Sequence, residues 1–239
     1  MKRISCESCP NTSCIIKKNF VREWEESLEE GKYQAFYKKD HSIFSAGNPV
    51  MGIFFVQNGL VKEFILRPHN EVEIVSFACD GQLFGPAGFS SDFFYTFGSD
   101  AKTDSVICFF SSEVLKVMYE SNPKLLYDLM LFYSREHSET TYRLMSISQM
   151  NLREKVASVL HYLWEKFGLN AEGELAECFT RDDIASLACT NSEQVSRQLS
   201  DFQKEQLIEK RARKIAILQP ERIKNIVSDY LELSSTATA

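Results

Sequence analysis

The sequence lacks any apolar run of the roughly 18 to 20 residues that a membrane-spanning helix requires. Its N-terminus carries two cations, Lys2 and Arg3, but no apolar segment follows them, so we expect no secretory signal peptide. These absences predict a cytoplasmic protein with no membrane partner. The 239 residues are 44% hydrophobic and 25% charged, which excludes a mainly disordered chain and allows one large or two smaller domains.

The sequence patterns of common enzyme sites are missing as well. The chain contains no glycine-rich phosphate loop, no Ser-His-Asp order, no paired-carboxylate motif and no His-Glu-x-x-His pattern. The histidines match no ligand spacing, and we expect surface or capping positions for His41, His69, His137 and His161. The sequence therefore predicts a protein that is not an enzyme.

An excess of positive charge is also absent, since the formal net charge is −6. A protein that covers nucleic acid with its whole surface is usually basic, so the composition disfavours that class. The composition still allows a basic site that is confined to one part of the surface.

The number of cysteines is odd, so they cannot all form disulfides within one chain. Seven cysteines without a secretion signal disfavour a disulfide framework and leave metal ligands, reactive thiols and core residues. Cys6, Cys9 and Cys14 crowd the N-terminus. The others are isolated beside apolar sequence, where cysteine is commonly buried as a small hydrophobe. They are Cys79, Cys108, Cys178 and Cys189.

Short β-strands are predicted in the first half of the chain. The apolar run Gly52–Gln57 ends at Asn58-Gly59, which is a strong hairpin signal. Further strands are predicted over Leu60–Leu66, Val72–Phe77 and Val106–Phe110, with turns between them. Many short strands with frequent turns are typical of a small barrel or sandwich.

A long helix is predicted after Pro123, because no further glycine or proline occurs before Gly168. Apolar and polar residues alternate in steps of four and three, which is a heptad seam. A helix of about thirty residues would reach roughly 45 Å, beyond the barrel beside it, so a homodimer interface is favoured over packing on the same chain. The seam residues are Leu126, Met130, Tyr133, His137, Thr140, Leu144 and Ile147.

Two short helices that meet at a tight turn are predicted near the C-terminus. Capping boxes at Thr180–Asp183 and Thr190–Glu193 indicate where the two helices begin. On the second helix, Val195, Leu199 and Phe202 share one face and can pack against the first helix. The pattern predicts a helix-turn-helix.

The opposite face of the second helix carries residues that suit DNA bases. Arg197 can donate two hydrogen bonds to guanine, Glu193 can accept one from cytosine, and Ser196 can contact either a base or a phosphate. Two predicted strands within Leu207–Leu218 enclose a basic turn and form a wing. The predicted contacts to the backbone of double-stranded DNA are Thr190, Ser192, Ser200, Lys210, Arg211, Arg213 and Lys214.

A strand-rich barrel, a long dimer helix and a winged helix-turn-helix, in that order, resemble the Crp/Fnr family of bacterial transcription regulators. The most specific element is Glu193-Gln-Val-Ser-Arg197, which matches the Glu-x-x-Ser-Arg signature of Fnr-type members. The resemblance implies a dimer that reads a palindrome with TTGA-like arms through Glu193, Ser196 and Arg197. It also implies RNA polymerase as a protein partner.

The resemblance also defines what the barrel is expected to sense. Cyclic-AMP binders of the family carry Gly-Glu in one turn and Arg-Ser or Arg-Thr shortly after it. The corresponding turn here is Leu83-Phe-Gly-Pro86, the Arg slot holds Tyr95-Thr96, and no arginine occurs between Gly85 and Ser105. A buried phosphate would lack its partner, so we expect no cyclic-AMP binding.

The N-terminal cysteines resemble the ligands of the oxygen-sensing Fnr proteins. Cys6, Cys9 and Cys14, with Cys108 as the barrel ligand, supply the four thiolates that a 4Fe–4S cluster needs. The second gap is one residue shorter than in the enterobacterial type. Three interpretations stay open. The cysteines hold a cluster; they form a zinc site or a thiol redox switch; or they are incidental, and the barrel binds a non-redox effector.

The predicted architecture is α+β, with an N-terminal β-barrel of the cyclic-nucleotide-binding jelly-roll type, a long dimerisation helix and a C-terminal winged helix-turn-helix. The expected segments are a cysteine-containing arm (1–19), the barrel (20–121), the dimerisation helix (122–152), the DNA-binding domain (153–226) and a tail (227–239).

Overall fold

The computed structural model describes residues 4–68, 71–85, 93–211 and 214–235. The chain divides into two compact units, Met1–Ser134 and Arg135–Ala239. The architecture is α+β, with sheets in the first unit, one long helix, and a helix-turn-helix in the second unit.

The first unit contains two four-stranded antiparallel sheets. One has the order β1-β8-β3-β6 and the other the order β2-β7-β4-β5. Among the described residues the two sheets do not close into one barrel, so the expected barrel is an open, jelly-roll-like sandwich. The strands are β1 Lys32–Tyr37, β2 Ser42–Phe44, β3 Gly52–Asn58, β4 Val61–Leu66, β5 Val72–Ala78, β6 Leu83–Phe84, β7 Gly98–Ala101 and β8 Ser105–Ser111.

The hairpin predicted at Asn58-Gly59 is wrong. Strand β3 pairs with β6 and β8, whereas β4 pairs with β5 and β7, so the turn joins the two sheets. Gly59 has a φ of +111°, and a Cβ atom there would lie 2.3 Å from the hydroxyl of Ser105. The Asn-Gly pair signals a turn with positive φ, but the pairing partners are decided by side chains far away in the sequence.

Five helical segments complete the first unit. They are α1 Ile15–Lys18, a 3-10 helix Arg22–Trp24, α2 Glu25–Gly31, α3 Ser112–Ser121 and α4 Pro123–Gln149, which belongs to the second unit from Arg135 onwards. Helix α4 begins at a proline, which is favoured there because the first helical N–H needs no partner. Its 27 residues span about 40 Å.

Two apolar clusters stabilise the first unit. One joins the N-terminal helices to the first sheet through Trp24, Phe110 and Leu125, and it also contains Cys6 and Cys108. The other fills the space between the sheets, where Phe44 stacks on Tyr95 with 4.0 Å between ring centroids. Each large side chain buried in this way contributes about 1.5–3 kcal/mol.

The second unit is mainly helical. It contains α5 Leu152–Phe167, α6 Arg181–Leu187, α7 Ser192–Lys204, strands β9 Ile208–Arg211 and β10 Lys214–Ile217, α8 Pro220–Ile226 and α9 Ser228–Ser235. The segment predicted as a tail therefore holds a helix, and residues 236–239 lie outside the described part. In the described residues, no helix has the length and apolar character needed to cross a membrane.

One of the two predicted capping boxes is confirmed. Thr180 accepts the N–H of Asp183, whose carboxylate accepts the N–H of Thr180. The box predicted at Thr190–Glu193 is wrong, because Asn191 caps α7 by accepting the Gln194 N–H. Asparagine is an equally good cap, and its choice moves the helix start by one residue.

Candidate functional site

Helices α6 and α7 position the polar face that was predicted to read DNA. Val195, Leu199 and Phe202 of α7 are buried, as are Ile184 and Leu187 of α6. Between the helices, Cys189 has a φ of +48°, a conformation that lets the chain reverse within a few residues. The apolar faces pack as predicted, so the opposite face of α7 points to the surface.

Glu193 and Arg197 lie side by side on that face. Their side chains are 74% and 73% exposed, and the Arg197 guanidinium donates a hydrogen bond to the Glu193 carboxylate. The Ser196 hydroxyl lies one turn along, where it donates to the carbonyl of Ser192 (2.8 Å). A shallow open depression of about 500 Å³ runs along this face and is lined by Glu193, Ser196, Arg197, Ser200, Asp201 and Lys204.

The Glu193–Arg197 pair can exchange its partners at little cost. Exposed ion pairs contribute about 0–1 kcal/mol because water screens them, and a base edge offers each group a comparable partner. The face therefore carries a fork-shaped donor and an acceptor, both accessible. The sequence predicted these residues but not that they neutralise each other in the free protein.

A residue that sequence reasoning missed stands beside this face. Arg181, the first residue of α6, is exposed and donates from its guanidinium to the Ser196 hydroxyl (3.4 Å). The segment Thr180–Asp183 was interpreted only as a helix cap, and the approach of Arg181 to α7 depends on the turn between the helices. Arg181 adds a cation at the edge of the base-reading face.

The predicted wing consists of β9 and β10, and its cations do not all point the same way. Lys210 donates to the Ser200 hydroxyl of α7 (3.1 Å). Arg211 instead donates to Glu209 (2.7 Å), and Glu174 lies 3.7 Å from Arg211 and 3.8 Å from Lys214. In the free protein, Arg211 and Lys214 thus lie beside carboxylates, and Arg213 lies outside the described residues.

The three hydroxyls predicted to meet the DNA backbone are already hydrogen-bonded within the chain. Thr190 contacts Gln194, and Ser192 contacts the carboxylate of Asp182. Ser200 donates to the carbonyl of Ser196 (2.8 Å) and accepts from Lys210. These bonds fix the start of α7 and its contact with the wing.

An ion pair braces α7 against α5. Arg153 donates two hydrogen bonds to the Glu205 carboxylate (2.6 and 2.7 Å), and its guanidinium carbon lies 4.9 Å from the centroid of the Phe202 ring. Hydrogen bonding to Arg153 lowers the pKa of Glu205. Two parallel bonds in a plane hold the end of α7 in one orientation.

The predicted seam on α4 is mostly exposed within its own chain. Leu126, Met130 and Leu144 are exposed, the last at 68%, and His137 and Thr140 are exposed between them. Tyr133 is half-buried, and burial raises the pKa of its hydroxyl. Ile147 differs, because it is buried within the second unit and is already packed. Three further apolar residues of α4 are exposed and were missed, namely Tyr127, Leu131 and Met145.

The four cysteines predicted as ligands lie in one region of the first unit. Cys6 and Cys108 are each 7% exposed, and Cys9 and Cys14 are half-buried. Burial, together with smaller effects of the neighbouring thiols of Cys6 and Cys108, raises the pKa of Cys14 to about 11. Burial also raises the pKa of Cys108, and the nearby Cys6 and Cys9 contribute to this increase. In the part of the chain that the structure describes, no three Cys, His, Asp or Glu side chains are placed to hold one metal ion.

The other cysteines and one histidine depart from expectation. Cys178 and Cys189 are exposed and Cys79 is half-buried, so the prediction of three buried packing residues is wrong. Cys189 forms the reversal between α6 and α7, which leaves its side chain outside the apolar faces. His161 is 9% exposed, which corrects the expected surface position, whereas His41 and His137 are exposed. His69 lies outside the described residues.

A carboxylate that was not predicted occupies the expected sensing turn. The Gly85 N–H donates to one oxygen of Glu63 (2.7 Å), and the Ser76 hydroxyl donates to the other (2.5 Å). The register between β4 and β5 shifts between Glu63 and Phe64, and such a bulge re-aims side chains. Tyr95 of the predicted slot is buried, and Pro86 lies outside the described residues.

Each of the two units contains a segment that matches a model of a known protein family. A family model described as a Crp-like helix-turn-helix domain matches residues 154–226, and one described as a cyclic nucleotide-binding domain matches residues 34–122. Electron transport regulator A of Shewanella oneidensis is 26% identical over 221 residues, which cover 90% of this chain and 87% of that protein. The fumarate and nitrate reduction regulatory protein of Vibrio cholerae is 24% identical, with the same coverage of both chains.

A solved structure supports the fold alone. The structure of FixK2 from Bradyrhizobium japonicum superposes with a TM-score of 0.73 at 21% identity. The match covers 82% of this chain and 96% of that chain.

Proposed function

The chain belongs to the Crp/Fnr family of DNA-binding transcription regulators, which are not enzymes, and on that premise we propose that it reads a TTGA-like palindrome as a dimer under redox or oxygen control. The observation that carries the DNA part of the proposal is the base-reading face of α7. There the exposed Glu193 and Arg197 flank Ser196 on a helix that packs firmly against α6 and is braced by Arg153.

Each residue of this face has a chemical role in the proposal. Arg197 donates two hydrogen bonds to guanine O6 and N7, and Glu193 accepts from a cytosine amine, each in the major groove. Ser196 lies on α7, and Lys210 and Arg181 each donate a hydrogen bond to a serine of α7. These three residues can contact phosphates and so fix the register of α7 on the DNA. Phosphate would compete with Glu209 and Glu174 for Arg211, and with Glu174 for Lys214.

The test is a selection of bound sequences from random duplex DNA. We expect the full chain to recover a palindrome with TTGA-like arms whose centres lie about one helical turn apart. The R197A variant should lose about 1–3 kcal/mol of binding to that palindrome and relax its preference at one base pair per arm. The matched control is R222A, on α8. Recovery of an unrelated motif, or an R197A protein with unchanged preference, contradicts the proposal.

The dimer is proposed to form along α4. Its exposed apolar residues Leu126, Met130 and Leu144 recur at heptad-like spacing and lie on a helix of about 40 Å. A signal at the first unit would change how two copies of α4 pack and shift the population of dimers whose base-reading faces match the palindrome. RNA polymerase is the proposed protein partner of the bound dimer.

The signal is proposed to act at a 4Fe–4S cluster held by Cys6, Cys9, Cys14 and Cys108. Two relatives are named an electron transport regulator and a fumarate and nitrate reduction regulatory protein, and the processes in both names are redox processes. When bound, the cluster would supply a centre that oxygen can oxidise. This chain's own residues shield Cys6 and Cys108 from water almost completely, whereas Cys9 and Cys14 are half-buried.

The positions of the thiols bear on the alternatives. Thiolates around one zinc ion lie about 2.3 Å from the metal, and no three ligating side chains in the described residues are grouped so closely. A four-iron cluster is wider than one ion, and Cys6, Cys14 and Cys108 share one apolar cluster of the first unit. Absorption spectra with iron and sulfide analysis of protein purified without oxygen test this. A colourless protein without iron would leave the thiol switch or incidental cysteines.

Cyclic AMP is proposed not to be the signal. The Gly85 amide, in the turn where related barrels hold a phosphate, is already bound by the Glu63 carboxylate. A phosphate brought there would meet a like charge and no arginine, because the chain has none between Gly85 and Ser105. Calorimetry that detected micromolar binding of cyclic AMP would contradict this part.

A further inference from the structure

A buried cation stands in the region of the four cysteines. Lys32, the first residue of β1, is 4% exposed, and its ammonium lies 6.0 Å from the centroid of the Phe110 ring. Burying an ammonium group is costly unless acceptors or negative charges surround it. Sequence reasoning did not predict this, because lysine side chains are almost always exposed unless they are paired.

Strand pairing explains why Lys32 is close to a thiol. In the β1–β8 ladder, Lys32 is opposite Phe110 and Gln34 is opposite Cys108. Alternate residues of a strand share a face, so the two side chains of β1 and the two of β8 lie on the same side of the sheet. The Gln34 amide donates to the Cys108 sulfur (3.5 Å), and Lys32 lies two residues before Gln34 on the same face.

The N-terminal arm covers this face and is held there by the same two residues. The Lys32 ammonium donates to the Ile4 carbonyl (2.8 Å), and the Ile4 N–H donates to the Gln34 side chain (2.8 Å). Farther along the arm, Asn11 donates to the Gln57 carbonyl of β3 (2.6 Å), and Lys17 donates to the carbonyls of Glu7 and Cys9. The arm that carries three of the cysteines is thus fastened to the strand that carries the fourth.

We propose that Lys32 is a positioning residue of the cysteine site. It fastens the arm through Ile4, and it supplies the positive charge that stabilises thiolate ligands in a buried place. The charge role rests on the proposed cluster, whereas the fastening role concerns the protein without metal. Four thiolates around a cluster carry net negative charge, and a fixed ammonium beside Cys108 offsets part of the cost of burying it.

Three variants separate the two roles. K32M removes the charge and the donor with little change of volume, and K32Q removes the charge but keeps a donor for the Ile4 carbonyl. K18M is the matched control, because Lys18 is an exposed lysine of the same arm. Hydrogen exchange of residues 4–19 in metal-free protein measures the fastening. Iron content after anaerobic reconstitution, the midpoint potential and the rate of colour loss in air measure the charge effect.

We expect faster exchange of the arm in K32M but not in K32Q or K18M. Both Lys32 variants should bind the cluster about 10-fold or more weakly, as changes next to metal ligands typically do, and should show a lower midpoint potential. If K32M does not fold, K32Q and K18M decide the charge role.

The outcomes distinguish this inference from the proposed function. A wild-type protein without iron refutes the cluster, while arm exchange that is equal in K32M and K18M refutes the fastening role. A wild-type protein with iron, together with a K32Q protein that matches K18M in iron content, potential and air stability, refutes the charge role.

Discussion

His161 places an ionisable ring inside the second unit, and its protonation should control the stability of that unit. Burial lowers the pKa of His161, and the nearby Lys224 lowers it further, while Glu165 and Glu221 act in the opposite direction. Within the described residues, its Nδ1 atom is buried without a hydrogen-bond partner. The neutral ring is therefore the form that the folded chain accepts.

The sign of the pH dependence follows from that shift. The unfolded chain binds the proton more readily than the folded chain, so the His161 contribution is complete above the ordinary pKa of 6.5 and is lost as the pH falls through it. We expect wild-type protein to lose more unfolding free energy between about pH 7.5 and about pH 5.5 than H161L does. Urea unfolding at both pH values checks this, with H41Q as the exposed control. Equal losses in H161L and wild type would refute it.

Glu63 should stabilise the first unit by satisfying two donors at once. In E63A the Gly85 amide and the Ser76 hydroxyl lose their acceptor, which should lower the unfolding free energy by about 1–3 kcal/mol. E63Q keeps an acceptor oxygen and should lose less. Chemical denaturation measures both, and E71Q, at an exposed position on the same hairpin, is the control. An E63A protein as stable as E71Q would show that the carboxylate carries no such role.

At the scale of elements, α4 offers the most direct test of assembly. M130E and L144E place a charge on exposed apolar positions that repeat along the helix. Two copies would bring like charges together in an apolar seam, so we expect each variant to sediment as a monomer and to lose binding to a palindrome. V117E changes an exposed apolar residue of α3 and serves as the control. A dimeric L144E protein with wild-type binding would contradict an α4 interface.

Sequence patterns predicted elements well where the decisive contacts are local. The apolar spacing of α7, the cap of α6 and the glycine-free run of α4 each depend on residues within a few turns, and the structure has these helices. The Asn58-Gly59 signal failed because it specifies a turn and not the strand that pairs with it. The Glu174 contacts of the wing and the Glu63 contact with Gly85 join segments far apart in sequence, so periodicity could not show them.

Charge is unevenly distributed over the whole molecule. Residues 153–226 contain 12 Lys or Arg and 12 Asp or Glu, so the net charge of −6 belongs entirely to the rest of the chain. A neutral DNA-binding segment with only a few unpaired cations makes few phosphate contacts. Its affinity should depend on salt less steeply than the number of its cations suggests.

Freeing the wing cations should change that salt dependence. In E174Q, Lys214 loses its carboxylate neighbour, whereas Arg211 keeps its hydrogen bond to Glu209. DNA binding should therefore strengthen, and the slope of log affinity against log salt should steepen by up to about one. K210A should reduce the slope by about one. Binding titrations across salt concentrations measure both effects. E172Q removes an equal charge two residues away and is the control, and an identical slope in E174Q and E172Q would refute the role of Glu174.

The carboxylates beside the DNA-facing cations also bear on how long a complex lasts. Glu193 lies one helical turn from Arg197, and Glu174 lies within 4 Å of two wing cations. When thermal motion breaks one contact to DNA, a carboxylate of the same chain is already in place to take the released cation. Each such capture opposes rebinding, so these acids shorten residence on a site. A regulator built in this way would leave its promoters soon after the signal ends.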